Sequence, residues 1–563
     1  MAGNILTPNL IWKNFQPLTK PIAKSIYTVK KDGLIFNRFY LNGLTVNGKE
    51  ISIFACITEF DNQEIKPLVV SVHSFGLDTI NDIDFELIKQ GYAVMSIDFA
   101  GEESNKENYT KYSAGLEYAN YQNAKAQLYT IEHEVGDSCW YVWTSVMKYS
   151  LRYVASLKNY SNIGVLAFGH PSTIAWQAVA TEENVSCAVF GFNAGWKSYD
   201  NYFKYSTTSE PLFSSDVLKF VAGVEVQSYV AHVSCPVLLL SSTNSREFDL
   251  DRAYATISRI NEKIYSNVNY SVNYRDVLDK ASYDDLVQFF KVFLKKEGKR
   301  TDLSKDIDVK TEVKNGKVEI TVSTKEEDFK SLCLYCAEEQ LDPAKRSWEK
   351  LKEYSNPKKG VYLFEYIPYK DSKIAFFFAK MENRNGFTTC SDVVAKRFEA
   401  TASQVQLKQN IIYSSRIKGN ESAFAPFDEN FALAKELDVN ANGQIKKVKG
   451  ALGFYGITNE YGLITFKIGQ SKYHPSEQAM LMFDAYLPNG GEVSVSLVAD
   501  VDGSFKTYTA KFNVVSGNIW HNLKVSLKSF KTEEGMSLKS YEKVCALGFS
   551  SNSKFVINNV LWV

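Results

Sequence analysis

From about residue 26 to residue 300, short uninterrupted apolar runs alternate with stretches whose apolar positions recur every three or four residues. The first two segments, Leu34 to Tyr40 and Glu50 to Ile57, instead alternate apolar with polar, as half-buried antiparallel strands do. Then come PLVVSV (67–72), YAVMSID (92–98), IGVLAF (163–168), CAVFGF (187–192), CPVLLLSS (235–242) and NVNYSVN (267–273). Continuous runs of this length predict strands buried on both faces of a parallel sheet. Helical periodicity lies between them, most clearly in SCWYVWTSVMKYSLRYVASL and DRAYATISRINEKI. Strand then helix, repeated, predicts a doubly wound α/β domain over 26–300.

The pattern changes at the charged stretch KKEGKRTDLSKD. Beyond it, VKTEVKNGKVEITVST and KIAFFFAKMENRNGFTT read as alternating strands with Asn-Gly turns. A helical-looking insert, DPAKRSWEKLKEYS, lies between them, with Arg346 and Trp348 as residues that tie it to its neighbours. Residues 305–395 are expected to form a small Ig-like β-sandwich. Residues 405–563, with many short strands broken by Gly, Asn and Pro, are expected to form a β jelly roll.

Composition narrows the partners. Net charge is zero, with 64 basic and 64 acidic residues, which gives no electrostatic reason to expect nucleic acid. No apolar run approaches the ~20 residues that span a bilayer, so no membrane is expected. The eight cysteines are scattered, and Cys333 and Cys336 form the one C-x-x-C, with no second ligand pair at zinc spacing. No metal or cofactor is expected. Few cysteines and no secretory pattern in the first twenty residues lead us to expect a cytoplasmic protein.

VVSVHSFG (69–76), the stretch IDFAGEESNKENYTKYSAGLEYANY and the helix beginning SCWYVW resemble the acetylxylan esterase and dienelactone hydrolase branch of the α/β-hydrolases. FDAYLP, IWHNLKVSLKSFK and INNVLWV resemble jelly-roll carbohydrate-binding modules appended to such enzymes. The first resemblance implies that His73, Ser74, Phe75 and Gly76 form the loop that supplies an oxyanion-hole N–H in active members. It also implies a Ser, acid and His triad in that chain order.

The triad positions are occupied by other residues. Active members place G-x-S-x-G at a sharp strand-to-helix turn. Here Ala167, Phe168, Gly169, His170 and Pro171 fall on those positions, so Gly169 stands where the nucleophile belongs. Ser245 stands at the acid position, and Asp249 and Asp251 suit the start of the next helix better. No histidine lies between Ser245 and residue 300, and Tyr274 stands at the base position. A phenol with a reference pKa of about 10 is a poor base at neutral pH.

Three readings remain open. The leading one is a catalytically inactive esterase-like protein kept for binding a carbohydrate or protein partner, with Trp520, Tyr508 and Trp562 as candidate ligand-binding aromatics, core packing being the stronger alternative for Trp562. The second is an active carbohydrate esterase with a non-standard nucleophile. Ser172 beside His170 is the fallback pair, although Ser172 also suits the start of a helix, and Cys139 reads as a buried helix face. The third is an assembly scaffold that takes no small ligand.

Overall fold

The computed structural model describes every residue except 1–4, 17–19, 63, 74–81, 104–105, 125–126, 209, 304–306, 356–357, 399–407, 418–422, 427–444, 461 and 502–503. The chain divides into two units. The first comprises residues 1–241, 247–269 and 283–305. The second comprises 242–246, 270–282 and 306–563.

A ten-stranded sheet organises the first part of the chain. Its strands are β1 (Ile22–Lys31), β2 (Leu34–Val46), β3 (Lys49–Phe60), β4 (Lys66–Val72), β5 (Ala93–Ile97), β6 (Lys111–Tyr112), β7 (Tyr160–Phe168), β8 (Cys187–Gly191), β9 (Val237–Ser242) and β10 (Ser266–Ser271). Their order is β1-β2-β3-β5-β4-β7-β8-β9-β10, with β6 on β3. Antiparallel pairing joins β1, β2, β3 and β5, whereas β5-β4-β7-β8-β9 is parallel. Every residue of β4, β5, β8 and β9 is buried, which is why those segments carry unbroken apolar runs. Helices Asp82–Lys89, Cys139–Ser156, Ser172–Val179 and Leu250–Ile257 fill the crossovers. Ser138 caps the longest of them by accepting from the Tyr141 N–H.

The second unit is almost all strand. Its first body has β11 (Ile307–Lys314), β12 (Lys317–Asp328), β13 (Ser331–Glu338), β14 (Glu349–Ser355), β15 (Lys358–Tyr366), β16 (Ile374–Glu382), β17 (Thr388–Cys390) and β18 (Val394–Arg397). These make sheets β11-β12-β15 and β14-β13-β16-β17, with β18 on β16. Both sheets feed one core that includes Ile320, Leu334, Phe364 and Phe377. Asn315 and Gly316, both at positive φ, turn β11 into β12 as the Asn-Gly pair requires.

The insert differs from expectation. Only Pro343–Lys345 makes a helical turn, and Glu349–Ser355 is a strand paired with β13 alone. An edge strand is free to carry Lys and Glu, and that charge imitates a helix in sequence.

The second body has β19 (Ile411–Tyr413), β20 (Ala425–Pro426), β21 (Lys446–Lys449), β22 (Tyr455–Thr458), β23 (Leu463–Thr465), β24 (Met480–Tyr486), β25 (Gly491–Val501), β26 (Ser504–Val514), β27 (His521–Ser526), β28 (Val544–Ser551) and β29 (Val556–Trp562). One sheet runs β21-β22-β29-β24-β27 with β19 on β29, and the other runs β20-β23-β28-β25-β26. A shared core holds Phe483, Leu497, Phe549 and Trp562. The two bodies meet through polar contacts: Gln340 Nε2 donates to Gly469 O (2.6 Å), Gln470 Nε2 to Ser347 O (2.9 Å) and Ser471 Oγ to Glu339 Oε2 (2.6 Å).

Charge is buried in that same region. Glu338 is 2% exposed, and burial pushes its carboxyl up to about 7 although the Tyr369 N–H donates to it. Lys472 lowers it and Glu339 raises it, and burial lowers nearby Lys467 to about 8. A carboxyl whose folded pKa is raised holds its proton more tightly folded than unfolded. Its contribution is therefore most favourable below the ordinary value of 4.5 and is lost as pH rises to about 7. Glu338→Gln is expected to flatten that part of the stability-versus-pH curve, with a gain of order a few kcal/mol above pH 7. Urea melts from pH 4 to 8 check this; parallel curves for the two proteins would refute it.

Candidate functional site

Strand β7 ends at Phe168, and the helix Ser172–Val179 begins four residues later. Gly169 makes the turn in the left-handed region, at φ +65°, where its N–H donates to Gly191 O (2.9 Å). A side-chain carbon placed on Gly169 would meet only Pro171 Cδ, at 3.6 Å. The turn thus combines a left-handed backbone with room for a side-chain carbon.

The fallback pair is not assembled. Ser172 is fully buried, is the first helical residue after Pro171, and its Oγ has no hydrogen-bond partner among the described residues. The His170 ring stacks on Tyr129 (5.4 Å) and packs against Trp140 (5.0 Å). Burial, reinforced by the Lys197 charge, lowers His170 to about 3. Cys139 is fully buried, and burial pushes its thiol far up.

Lys197 is a feature that sequence reasoning missed. The loop after β8 carries Phe192 and Trp196 at positive φ, pinned by the Trp196 indole N–H on Thr256 Oγ1 (2.8 Å). It delivers Lys197 Nζ to Glu247 Oε2 at 2.8 Å. Burial alone would lower the ammonium, but Glu247 and Asp200 outweigh it and raise Lys197 above its usual value. The only sequence signal was the run of Gly195 and aromatics around the lysine.

The loop residue His73 is also committed elsewhere. Its Nε2 lies 2.7 Å from Ser71 Oγ and 3.0 Å from Asp84 Oδ2, and Ser71 donates to Asp84 Oδ1 (2.7 Å). All three residues are buried, and the imidazole stacks on Phe168. Ser74, Phe75 and Gly76 lie outside the described residues.

Ser245 and Tyr274, where the resemblance implies an acid and a base, belong to the second unit, and the hydrogen bonds of their loops run within that unit. Ser245 Oγ donates to Asp276 Oδ1 (2.6 Å), and the Arg246 N–H donates to the same oxygen (3.0 Å). Asn244 Nδ2 donates to Arg346 O (2.6 Å). Asn273, at φ +63°, accepts from the Trp348 N–H (2.8 Å) and donates to Trp348 O (2.9 Å). Tyr274 packs against the cluster containing Ile464, Phe466 and Cys545. Backbone bonds zip the loops together, Thr243 N to Ser271 O and Asn244 N to Tyr274 O, both 3.1 Å. The peptide groups of residues 344–348 occupy the amide side chains of both loops.

The candidate aromatics separate. Tyr508 is 9% exposed and Trp562 is 4% exposed, and both sit in the core of the last body, so Tyr508 is corrected from a ligand platform to a packing residue. Trp520 is half-buried, donates its indole N–H to Ala451 O (2.9 Å) and lines a cleft of about 830 Å³.

No protein-family model matches this sequence, and no curated protein matches it. Solved structures that resemble it include a cold-adapted esterase from an Arctic intertidal metagenomic library, at 12% identity and TM-score 0.31, covering 48% of this chain and 97% of that one. Acetyl xylan esterase 1 from Thermoanaerobacterium sp. resembles it at 11% identity and TM-score 0.37, covering 52% of this chain and 96% of that one. An acetyl xylan esterase from Paenibacillus sp. does so at 10% and 0.38, covering 51% and 92%. Strand order and parallel pairing give the first part of the chain a mixed α/β sheet, with a left-handed strand-to-helix turn after β7. No helix among the described residues is long and apolar enough to cross a membrane.

Proposed function

We propose that the chain is a non-catalytic relative of acetylxylan-esterase-like hydrolases, retained for binding rather than turnover. We read its last two bodies as β-sandwiches, the second a jelly roll that carries the recognition role. The observation that carries the reading is Gly169: a left-handed elbow with space for a side chain and none present. The conversion of the two other catalytic loops into joints, through Asn244, Ser245 and Asn273, supports it. A displaced Ser172–His170 pair is disfavoured, because a base that gives up its proton above about pH 3 cannot help a serine near neutrality.

Purified protein is expected to hydrolyse p-nitrophenyl acetate no faster than background, and Gly169→Ser to remain inactive, since no imidazole stands at the base position. Turnover by the natural protein that Ser172→Ala abolishes would overturn the proposal and identify an esterase with a shifted nucleophile.

A further inference from the structure

Among the described residues, the last body presents a cleft of specific chemistry. Along β24, Leu481, Phe483 and Ala485 point into the core, so Asp484 and Tyr486 face outward. Asn522 of β27 donates to Asp484 Oδ1 (2.8 Å), and Asn559 of β29 donates to Asp484 Oδ2 (2.7 Å). Three adjacent strands thereby hold a carboxylate in a fixed plane, flanked by two amides, of which Asn559 also accepts from Ser414 Oγ (3.1 Å) through its own oxygen. Donor and acceptor groups at fixed separation on a sheet suit vicinal hydroxyls.

An aromatic wall stands beside this polar floor. Trp520 packs so closely on the loop before β22 that a side-chain carbon on Gly450 would come within 2.4 Å of the indole. With its N–H on Ala451 O, Trp520 is the buttress of the loop rather than a free platform. The loop it supports exposes Phe454 (53%) and Tyr455 (43%) at the cleft edge. Flat apolar rings next to oriented polar groups form a surface suited to a ring with one apolar face and equatorial hydroxyls.

Charge then selects among such ligands. Arg416 and Lys447 line the cleft, and Lys446 and Lys449 are exposed on the same edge strand, β21. Asp484 is the one acid among the described residues of the cleft lining, and both its oxygens are engaged by amides. The chain as a whole is neutral, so this local excess of cations is a property of the cleft.

We infer that this cleft binds an acidic, carboxylate-bearing saccharide chain, its rings against Tyr455 and Phe454, its hydroxyls on Asp484 and Asn559, and its carboxylates facing Arg416 and Lys447. The inference rests on the reading that recognition resides in the last body, and it adds the substrate class.

Calorimetric titration of the full chain with oligogalacturonate and with hyaluronan fragments tests it, against xylo- and cello-oligosaccharides of equal length. Acidic chains are expected to bind at least about tenfold more tightly than neutral ones, with that margin shrinking as salt is raised. The double variant Arg416→Gln/Lys447→Gln should lose the margin while keeping weak binding to neutral chains. Tyr455→Ala should weaken both classes, with an unchanged melting curve showing that the fold is intact. Sulfated glycans binding as well as uronates would overturn the carboxylate assignment. Equal affinity for neutral chains, or no binding to any saccharide, would overturn the acidic-saccharide inference. None of these results bears on ester turnover, so failure here leaves the elbow argument standing, and esterase activity would not rescue this one.

Discussion

Arg346→Ala is expected to destabilise the second unit by roughly 3–5 kcal/mol, the sum of three losses. The residue is fully buried, and its guanidinium carbon lies 3.5 Å from the centre of the Phe376 ring. Nε donates to Gln340 O (2.8 Å) and Nη2 to Leu341 O (3.0 Å), so truncation strands two carbonyls as well as opening a cavity. A planar cation stacked at that distance is not replaceable by a point charge. Arg346→Lys should therefore recover less than half of the loss. Urea melts followed by near-ultraviolet circular dichroism measure both variants. A loss below about 1 kcal/mol for the alanine variant would mean the guanidinium contributes little beyond filling space.

Asn273→Ala should cost about 2–4 kcal/mol, because it removes the partners of both the N–H and the C=O of Trp348 at once. Trp348 is itself fully buried against Phe378, with ring centres 4.7 Å apart, so water cannot take over those bonds. Backbone strain adds to the alanine value, since Asn273 sits at φ +63°. Asn273→Gly loses the same hydrogen bonds without the left-handed penalty and should be milder by about 1 kcal/mol. Asn273→Asp keeps the acceptor but loses the donor and buries a charge, so it should be at least as damaging as alanine. Equal melts for all three variants would show that the loop is held by other contacts.

Arg346 and Asn273 also tie residues 344–348 to the loops that follow β9 and β10. In the resemblance that the sequence carries, the loops after β9 and β10 would present an acid and a base. Here the same loops spend Asn244 and Asn273 on the backbone of residues 344–348, and Tyr274 on an apolar cluster.

What was legible in the sequence follows from local periodicity. The strands β4, β5, β7, β8, β9 and β10 fall on the apolar runs, because burial on both faces favours apolar side chains at most positions. Gly169 was legible for a related reason. The period changes from strand to helix within a few residues, which places the turn without any coordinates. The edge strand β14 was misread as helix, since the free side of a sheet edge imposes no apolar pattern and its lysines and glutamates fit either period.

The rest was decided by tertiary structure. Asn273 and Trp348 are 75 residues apart, and Asn244 and Arg346 are 102 apart, so nothing in the neighbourhood of either asparagine names its partner. Asp484, Asn522 and Asn559 become one polar floor because β27, β24 and β29 are neighbours in a sheet, an order that the chain does not state. Tyr508 and Trp520 are both aromatic residues of the last body. One enters the core and the other buttresses a cleft according to the face on which its backbone sets it. Periodicity is a local property and determines elements, whereas hydrogen-bond partners and concavities arise between segments distant in sequence and exist only after those elements have packed.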